Sequence, residues 1–347
     1  MVGAGRAEYN ARPLAEHPAM TALDLAFVMD PIGSIHPDKD TTFVLMLEAE
    51  RRGHRVFYLE LADLALRDGR TWGRMRPARV RRGEPHFELG APELRPLADN
   101  DAVFMRKDPP YDMLYFYATH LLDPALSGAW VINGAQGLRE ATEKLFALRF
   151  PELIPRTHLA SDPAILRQFL DELGGRMVVK RLDGSGGSGV FLIREGDPNL
   201  SVILETSTHF GTTPVLAQEF LESGRDGDKR LIVIGGEPAG AVLRVPKTHN
   251  EFRANIHVGA TCVRADVDDR DRAICDRLRP EFARLGLELV GLDVIGGYVT
   301  EINVTSPTGF QEIRTLSGIE LERRMLDLVE AQAPARRAAL APGPSAA

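Results

Sequence analysis

Asp293, Glu301 and Asn303 flank a Gly296-Gly297 pair in the stretch LELVGLDVIGGYVTEINVTSP, residues 287–307. Side chains alternate along a strand, so residues two apart share a face. Val290, Leu292 and Val294 form one apolar set, and Ile302 and Val304 form another. Opposed residues in a hairpin share a face, so the two sets meet only if paired numbers sum to an even value. A two-residue Gly-Gly loop pairs Ile295 with Tyr298 and parts the apolar faces. The pattern therefore predicts an odd loop, most simply Gly296-Gly297-Tyr298 with a bulge. That register pairs Val294 with Thr300, Asp293 with Glu301 and Leu292 with Ile302. Two carboxylates set opposite each other repel without a cation between them. With Asn303 they make an all-oxygen donor set, which suits Mg²⁺ or Mn²⁺ far better than zinc. The competing reading is a solvated hairpin face.

A second pattern is DGSGGSG, residues 183–189, between MVVKRL (177–182) and VFLIR (190–194). Gly184, Gly186 and Gly189 satisfy G-x-G-x-x-G literally. A dinucleotide fingerprint requires a helix next, whereas VFLIR reads as a strand, and no Gly-Lys-Ser/Thr exists for a P-loop. What remains is a flexible loop between antiparallel strands, able to offer backbone N–H groups to a polyphosphate. Lys180 sits among apolar strand neighbours, where burial is costly unless it meets a charge. The protein-kinase arrangement places its lysine after the loop and adds HRD and DFG motifs, which this chain lacks. A mobile hairpin tip with an exposed lysine is the plain alternative.

These residues need a scaffold. LDLAFVM (23–29), a helix over Asp40–Arg52 ended by Gly53, RVFYLE (55–60), Ala102–Met105 and Ala129–Asn133 alternate as strand and helix, which predicts a parallel sheet covered by helices. Residues 68–98, rich in Arg, Pro and Gly, have no clear period. Beyond residue 140, Asp162 and Pro163 open a helix that Gly174 ends. Segments VLAQEF (215–220), RLIVIG (230–235) and AGAVLR (239–244) read as antiparallel strands. A long helix follows from Asp269 to Leu285, kinked at Pro280. A last helix is expected over about 319–331. The chain of 347 residues, 44% hydrophobic and 26% charged, is long enough for two or three domains. Residues 1–20 read as a loose extension, with Met20 the effective start of the domain. Residues 331–347, holding eight Ala and three Pro, read as a disordered tail.

Composition narrows the function classes. No window approaches the ~20 apolar residues of a spanning helix. The net charge of −7 argues against a dedicated polyanion binder, and Trp72 and Trp130 offer no stacking platform for nucleic acid. Two cysteines, Cys262 and Cys275, build neither a disulfide framework nor a closed zinc site and read as reduced thiols of a cytoplasmic protein.

The motifs together resemble the ATP-grasp superfamily, most closely the prokaryotic glutathione synthetases. The matching stretches are MDPIGSI (29–35), MRKDPPYD (105–112), LREATEKLF (138–146), VVKRLDGSGGSGVF (178–191), EGDPNL (195–200), DGDKR (226–230), VGLDVIG (290–296) and TEINVTSPTG (300–309). The resemblance implies an α/β pre-ATP-grasp domain over 21–140 and an α+β ATP-grasp domain over 141–330. The latter comprises two lobes with antiparallel sheets, a small one to about 215 and a large one from about 216. It implies a ligase that joins γ-glutamylcysteine and glycine through an acyl phosphate, with ATP as co-substrate and two Mg²⁺ or Mn²⁺. Lys144 and Lys180 would contact the phosphates. Asp183, Gly184, Gly186, Gly187 and Gly189 would close over them. Glu219, Phe220 and Leu221 would hold adenine, with Asp228 in the same nucleotide site. Asp293, Glu301 and Asn303 would hold the metals, and Arg230 and Arg253 would stabilise the reacting groups. Lys107, Asn255, Ser306, Pro307 and Thr308 would form the peptide and glycine pocket. A cytoplasmic homo-oligomer, a tetramer, is implied, with no membrane or nucleic-acid partner. Arg181 stands where the family usually has Pro, and Ser185 where Met is frequent. Two other readings stay open: an ATP-grasp ligase for a different acid and amine, and a non-catalytic nucleotide-binding regulator.

Overall fold

A computed structural model describes residues 22–184, 186–247 and 260–340. The N-terminal strands are β1 (Asp24–Val28), β2 (Arg55–Leu59), β3 (Leu64–Arg67), β4 (Arg70–Val80), β5 (Phe87–Leu89), β6 (Glu93–Pro96), β7 (Ala102–Met105) and β8 (Val131–Ile132). Their order is β3-β4-β2-β1-β7-β8, with β5 and β6 on β4. β1, β2, β7 and β8 are mutually parallel, as the strand–helix alternation predicts. Every residue of β1 and β7 is buried, so both faces are covered. The stretch without a clear period, residues 68–98, supplies the antiparallel edge β4–β6. Its strands lie at a margin, where one polar face meets water and no long apolar run is required.

Helices α1 (Thr41–Arg51), α2 (Met113–Leu121), α3 (Pro124–Ser127) and α4 (Ala135–Glu140) complete this part. Asp40 caps α1 by accepting from the Phe43 N–H. The α1 residues Phe43 and Met46 pack with Leu25, Phe27 and Phe104 on one face of the sheet, whereas the α2 residues Tyr115 and Ala118 pack with Ala26, Val28 and Val103 on the other.

The remaining strands are β9 (Thr157–Ala160), β10 (Arg176–Arg181), β11 (Val190–Arg194), β12 (Val215–Glu219), β13 (Asp228–Ile234), β14 (Glu237–Val245), β15 (Thr261–Ala265), β16 (Leu289–Ile295) and β17 (Tyr298–Asn303). They form two antiparallel sheets, β11-β10-β12-β9 and β15-β14-β13-β16-β17. Because β12 pairs with β10 and β9, the small lobe runs through Glu219 rather than ending at about 215. The accompanying helices are α5 (Pro163–Glu172), α6 (Leu200–Ser207), α7 (Asp269–Leu285), α8 (Phe310–Ser317) and α9 (Leu321–Leu340). α7 runs as one helix through Pro280, opened by the Asp268–Asp271 capping box.

The expected disordered tail needs correction: α9 continues to Leu340. Alanine is the best helix former, and the segment has contacts to keep. Ala333 is buried, Arg336 reaches Glu288 and lies over Trp130, and Arg337 pairs with Asp101.

The cores show how the parts are joined. The small lobe has its own, from Leu166, Phe169, Met177, Val179, Ile193 and Val215. The N-terminal sheet and the five-stranded sheet share two continuous clusters, one holding Val103 with Leu292, the other Phe27 with Ile232. Asn133, at the end of β8, fastens this junction. Its Nδ2 donates to the carbonyls of Leu289 and Val304, each at 2.7 Å, and its Oδ1 accepts from the Leu289 N–H at 2.8 Å. The amide thereby acts as an extra peptide unit between β16 and the residue after β17. Asn133→Ala is expected to cost about 3 kcal/mol, since buried backbone groups lose their partners. A urea midpoint that stayed put would show that water replaces the amide at no cost.

Candidate active site

The hairpin of Asp293 and Glu301 obeys the parity argument by a different route. Gly291 pairs with Asn303, Leu292 with Ile302 and Asp293 with Glu301, as expected. The loop, however, has two residues: Ile295 pairs with Tyr298, Val294 pairs with Val299, and the register shifts beyond Asp293. Thr300 is the extra residue of a bulge inside the strand. Gly296 and Gly297 have φ of +56° and +81°, the left-handed pair that a tight twisted turn demands. The expected three-residue loop is thus corrected to Gly-Gly plus an internal bulge. Either device restores the same parity, and Val290, Leu292, Val294, Ile302 and Val304 all join one core.

The other face carries the chemistry. Register places Arg230 beside Asp293, and Asp228 beside Arg244. Asp293 is 1% exposed. Its Oδ1 accepts from Arg230 Nε at 2.6 Å, its Oδ2 from Arg230 Nη2 at 3.0 Å, and Arg244 Nη2 lies 3.0 Å from Oδ1. Burial alone would raise this carboxyl, but the two guanidiniums outweigh it and hold it well below the usual carboxylate range. Asp228 is pushed up to about 6 by burial, against the pull of Arg244. Asn303 Nδ2 lies 3.4 Å from Asp293 Oδ2 and 3.3 Å from the Gly291 carbonyl.

The small lobe presents a complementary face. Alternation sends Met177 and Val179 into its core and leaves Val178 and Lys180 on the opposite side. Between that face and the hairpin lies an open cleft. It is lined by Lys180, Gly187, Glu219, Phe220, Leu221, Asp228 and Glu301, together with Pro155, Val178, Val190, Gln218, Gly224, Ile295 and Thr300. Its place between the two lobes and its mixed apolar and charged lining suit a nucleotide. Lys180 Nζ and Lys144 Nζ approach Glu301 Oε1 at 3.7 and 3.8 Å. Lys144 also donates to the Gly184 carbonyl at 2.6 Å, tying the Gly-rich loop to the cluster. Gly184 is obligatory there, because a Cβ would stand 2.3 Å from the Ser188 carbonyl oxygen. Asp183 forms a two-point ion pair with Arg181 at the exposed rim. Gly186, Gly187 and Gly189 all have positive φ.

Glu143 is a group the sequence reading passed over. Its Oε1 accepts from Lys144 Nζ at 2.6 Å. Burial, then repulsion from Glu301, raises its carboxyl to about 7. Arg244 was passed over too, since only strand register reveals that it faces Asp228. In the cluster four bases (Lys144, Lys180, Arg230, Arg244) face four acids (Glu143, Asp228, Asp293, Glu301). The protein charges nearly cancel, so a triphosphate brings its own charge uncompensated. The oxygen donors Asp293, Glu301 and Asn303 fit a hard divalent cation completed by phosphate oxygens. Among the described residues no three His, Cys, Asp or Glu side chains form a metal cage unaided.

The residues expected to form the peptide and glycine pocket lie at a different edge. Lys107 pairs with Asp30 at 2.9 Å. The carbonyl of Pro307 accepts from the buried Arg106, and that of Thr308 from Arg230 at 3.4 Å. Ser306 is half-buried beside them. Arg253 and Asn255 lie outside the described residues.

Comparison with known proteins agrees with this layout. The family model for the prokaryotic glutathione synthetase N-terminal domain matches residues 23–139, and that for the prokaryotic glutathione synthetase ATP-grasp domain matches residues 143–318. The chain belongs to the prokaryotic glutathione synthetase family. Glutathione synthetase of Thermosynechococcus vestitus is 43% identical over 317 residues, which span 88% of this chain and 98% of that one. Glutathione synthetase of Shewanella oneidensis is 42% identical over 311 residues, spanning 89% and 98%. Solved structures extend the likeness in fold. A RiPP-associated ATP-grasp ligase of Chryseobacterium gregarium gives a TM-score of 0.62 at 13% identity, over 91% of this chain and 98% of that one. D-cycloserine synthetase gives 0.61 at 18% identity, over 90% and 99%. The fold is therefore an α/β N-terminal domain followed by a two-lobed α+β ATP-grasp domain. No helix among the described residues is long and apolar enough to cross a membrane.

Proposed function

We infer that the protein is an ATP-dependent ligase that joins γ-glutamylcysteine and glycine into glutathione, releasing ADP and phosphate. The observation that carries this reading is the cleft in which Lys180 of the small lobe faces Glu301 of the large lobe, in a chain of this family. ATP lies there with its adenine by Glu219, Phe220 and Leu221 and its phosphates by Lys144, Lys180 and the loop 183–189. Asp293, Glu301 and Asn303 hold two divalent cations, Mg²⁺ or Mn²⁺, which supply charge neutralisation and orient the phosphates when bound.

The cysteinyl carboxylate attacks the γ-phosphorus and the bond to the β–γ bridging oxygen breaks, so that ADP leaves. The glycine amine then attacks the acyl-phosphate carbon, loses a proton, and phosphate departs. No covalent enzyme nucleophile is required, and neither Cys262 nor Cys275 takes part. Lys144, Lys180 and Arg230, with Arg253 from outside the described residues, offset charge on the transferring phosphoryl group. The Gly-rich loop keeps water from the acyl phosphate. Lys107, Asn255 and Ser306–Thr308 form the peptide and glycine pocket. The enzyme works in the cytoplasm, where ATP and reduced thiols are both present, as a homo-oligomer, a tetramer. The exposed Met113, Leu114 and Tyr117 of α2 supply apolar surface for a subunit contact.

The test is turnover with ATP, Mg²⁺, γ-glutamylcysteine and glycine, products identified by mass spectrometry, omitting each component in turn. Glutathione with stoichiometric ADP only in the complete mixture is the expected result. ADP formed with another acid or amine, but not this pair, would replace the substrates and keep the ligase. No turnover with any pair would leave a nucleotide-binding regulator.

A further inference from the structure

The acceptor dipeptide ends, far from its reacting carboxylate, in an α-amino acid head with one ammonium and one carboxylate. Resting on the ligase reading above, we propose that Asp30 and Lys107 read that head, Asp30 taking the ammonium and Lys107 the carboxylate.

Position is the first argument. Asp30 and Lys107 follow β1 and β7, adjacent parallel strands at the centre of the N-terminal sheet. Strand order reverses there, because β1 is followed by β2 on one side and has β7 and β8 on the other. Helices cover opposite faces on the two sides, which opens a crevice at the carboxyl ends of these strands, the usual place for a ligand in such a sheet.

Chemistry is the second. Lys107 Nζ lies 2.9 Å from Asp30 Oδ1 and donates to the Asp108 carbonyl at 2.7 Å, while Asp30 Oδ2 accepts from the Asp108 N–H at 2.9 Å. The two charges are thereby held in a fixed relation on backbone anchors. Neither is sealed off, with side chains 29% and 23% exposed. An amino acid head set against such a pair completes a square of alternating charges.

Connection to the reacting end is the third. Arg106, the neighbour of Lys107, donates from Nη2 to the Pro307 carbonyl at 3.0 Å, and the adjacent Thr308 carbonyl accepts from Arg230. The head-group pair and the phosphoryl site are thus joined through one short segment. Among the described residues, the cavity lined by Glu143 and Asp183 has no Lys or Arg in its lining to receive a carboxylate.

The test compares γ-glutamylcysteine with glutarylcysteine, which lacks the ammonium, and 4-aminobutanoylcysteine, which lacks the α-carboxylate. Asp30→Asn should raise KM for the parent dipeptide at least tenfold, leave KM for ATP within twofold, and cause no further loss with glutarylcysteine. Lys107→Met should behave likewise toward 4-aminobutanoylcysteine. Equal fold-losses on parent and analogue would overturn the assignment, as would unchanged KM in both variants. Because the two side chains are ion-paired, each variant is read by which analogue masks its loss, and a variant that fails to fold leaves the other to be read in the same way. Wild-type enzyme that makes no glutathione would refute the substrate assignment on which this site rests, whereas wild-type turnover with equal losses would refute only the head-group site.

Discussion

Glu301→Gln is expected to lower kcat by roughly 10³-fold while thermal unfolding moves little. Among the described residues, the Glu301 side chain makes no hydrogen bond on which the fold relies. Its neighbours are Lys144 and Lys180 at 3.7–3.8 Å, and its side chain keeps 15% of its exposure. What it contributes is negative charge and an oxygen donor at the meeting point of the lobes. A second readout follows from the cluster. Repulsion from Glu301 is, after burial, the main cause of the raised Glu143 carboxyl at about 7. Removing that charge should bring the Glu143 titration down toward the ordinary range, measurable by carboxyl chemical shifts against pH. Mn²⁺ affinity in the presence of ADP should fall in parallel. Full activity in Glu301→Gln would remove it from the metal and phosphate site, whatever the titration shows.

Asp293→Ala should abolish turnover and also cost stability, about 3–5 kcal/mol, because it takes from the buried Arg230 its carboxylate partner and leaves Arg244 with Asp228 alone. The pH dependence has a definite sign. The Asp293 carboxyl lies below its usual range in the folded protein, through Arg230 and Arg244 acting against burial. Its contribution is therefore complete above the ordinary value of 3.8 and is lost as pH falls from there toward its folded value. The stability gap between wild type and Asp293→Ala should be widest near neutrality and narrow below about pH 3.8. Urea unfolding at pH 7 and pH 3 checks this, provided the wild type is folded at both. A gap of constant size would mean that lost packing, not the ion pairs, accounts for the destabilisation.

The two carboxylates differ although both stand on one hairpin. Asp293, on the inner strand β16, meets Arg230 of the neighbouring β13 and Arg244 of β14, whereas Glu301, on the edge strand β17, faces the cleft. Alternation along each strand shows that they share a face, but not which one meets a guanidinium. That depends on β13 pairing with β16, across a separation of more than 60 residues.

Much of this molecule follows from local rules. Apolar periodicity defines the parallel strands and α1, α5 and α7, with Asp40, Asp162 and Asp268 as caps. Parity and the shortest connection it allows set Asp293 opposite Glu301, because a one-residue slip would turn a core face to water. The motifs from MDPIGSI to TEINVTSPTG were enough to indicate the family. The tertiary structure decided the rest. It chose an internal bulge at Thr300 over a longer loop, since both satisfy the same parity. It kept the Ala-rich segment after residue 330 helical, because Trp130, Glu288 and Asp101 wait there for Arg336 and Arg337. It set Arg244 on Asp228, Glu143 on Lys144 and Asn133 across the hairpin's base. Patterning is a property of neighbours along the chain. Charge compensation inside a cleft is a property of segments that meet only after the chain has folded.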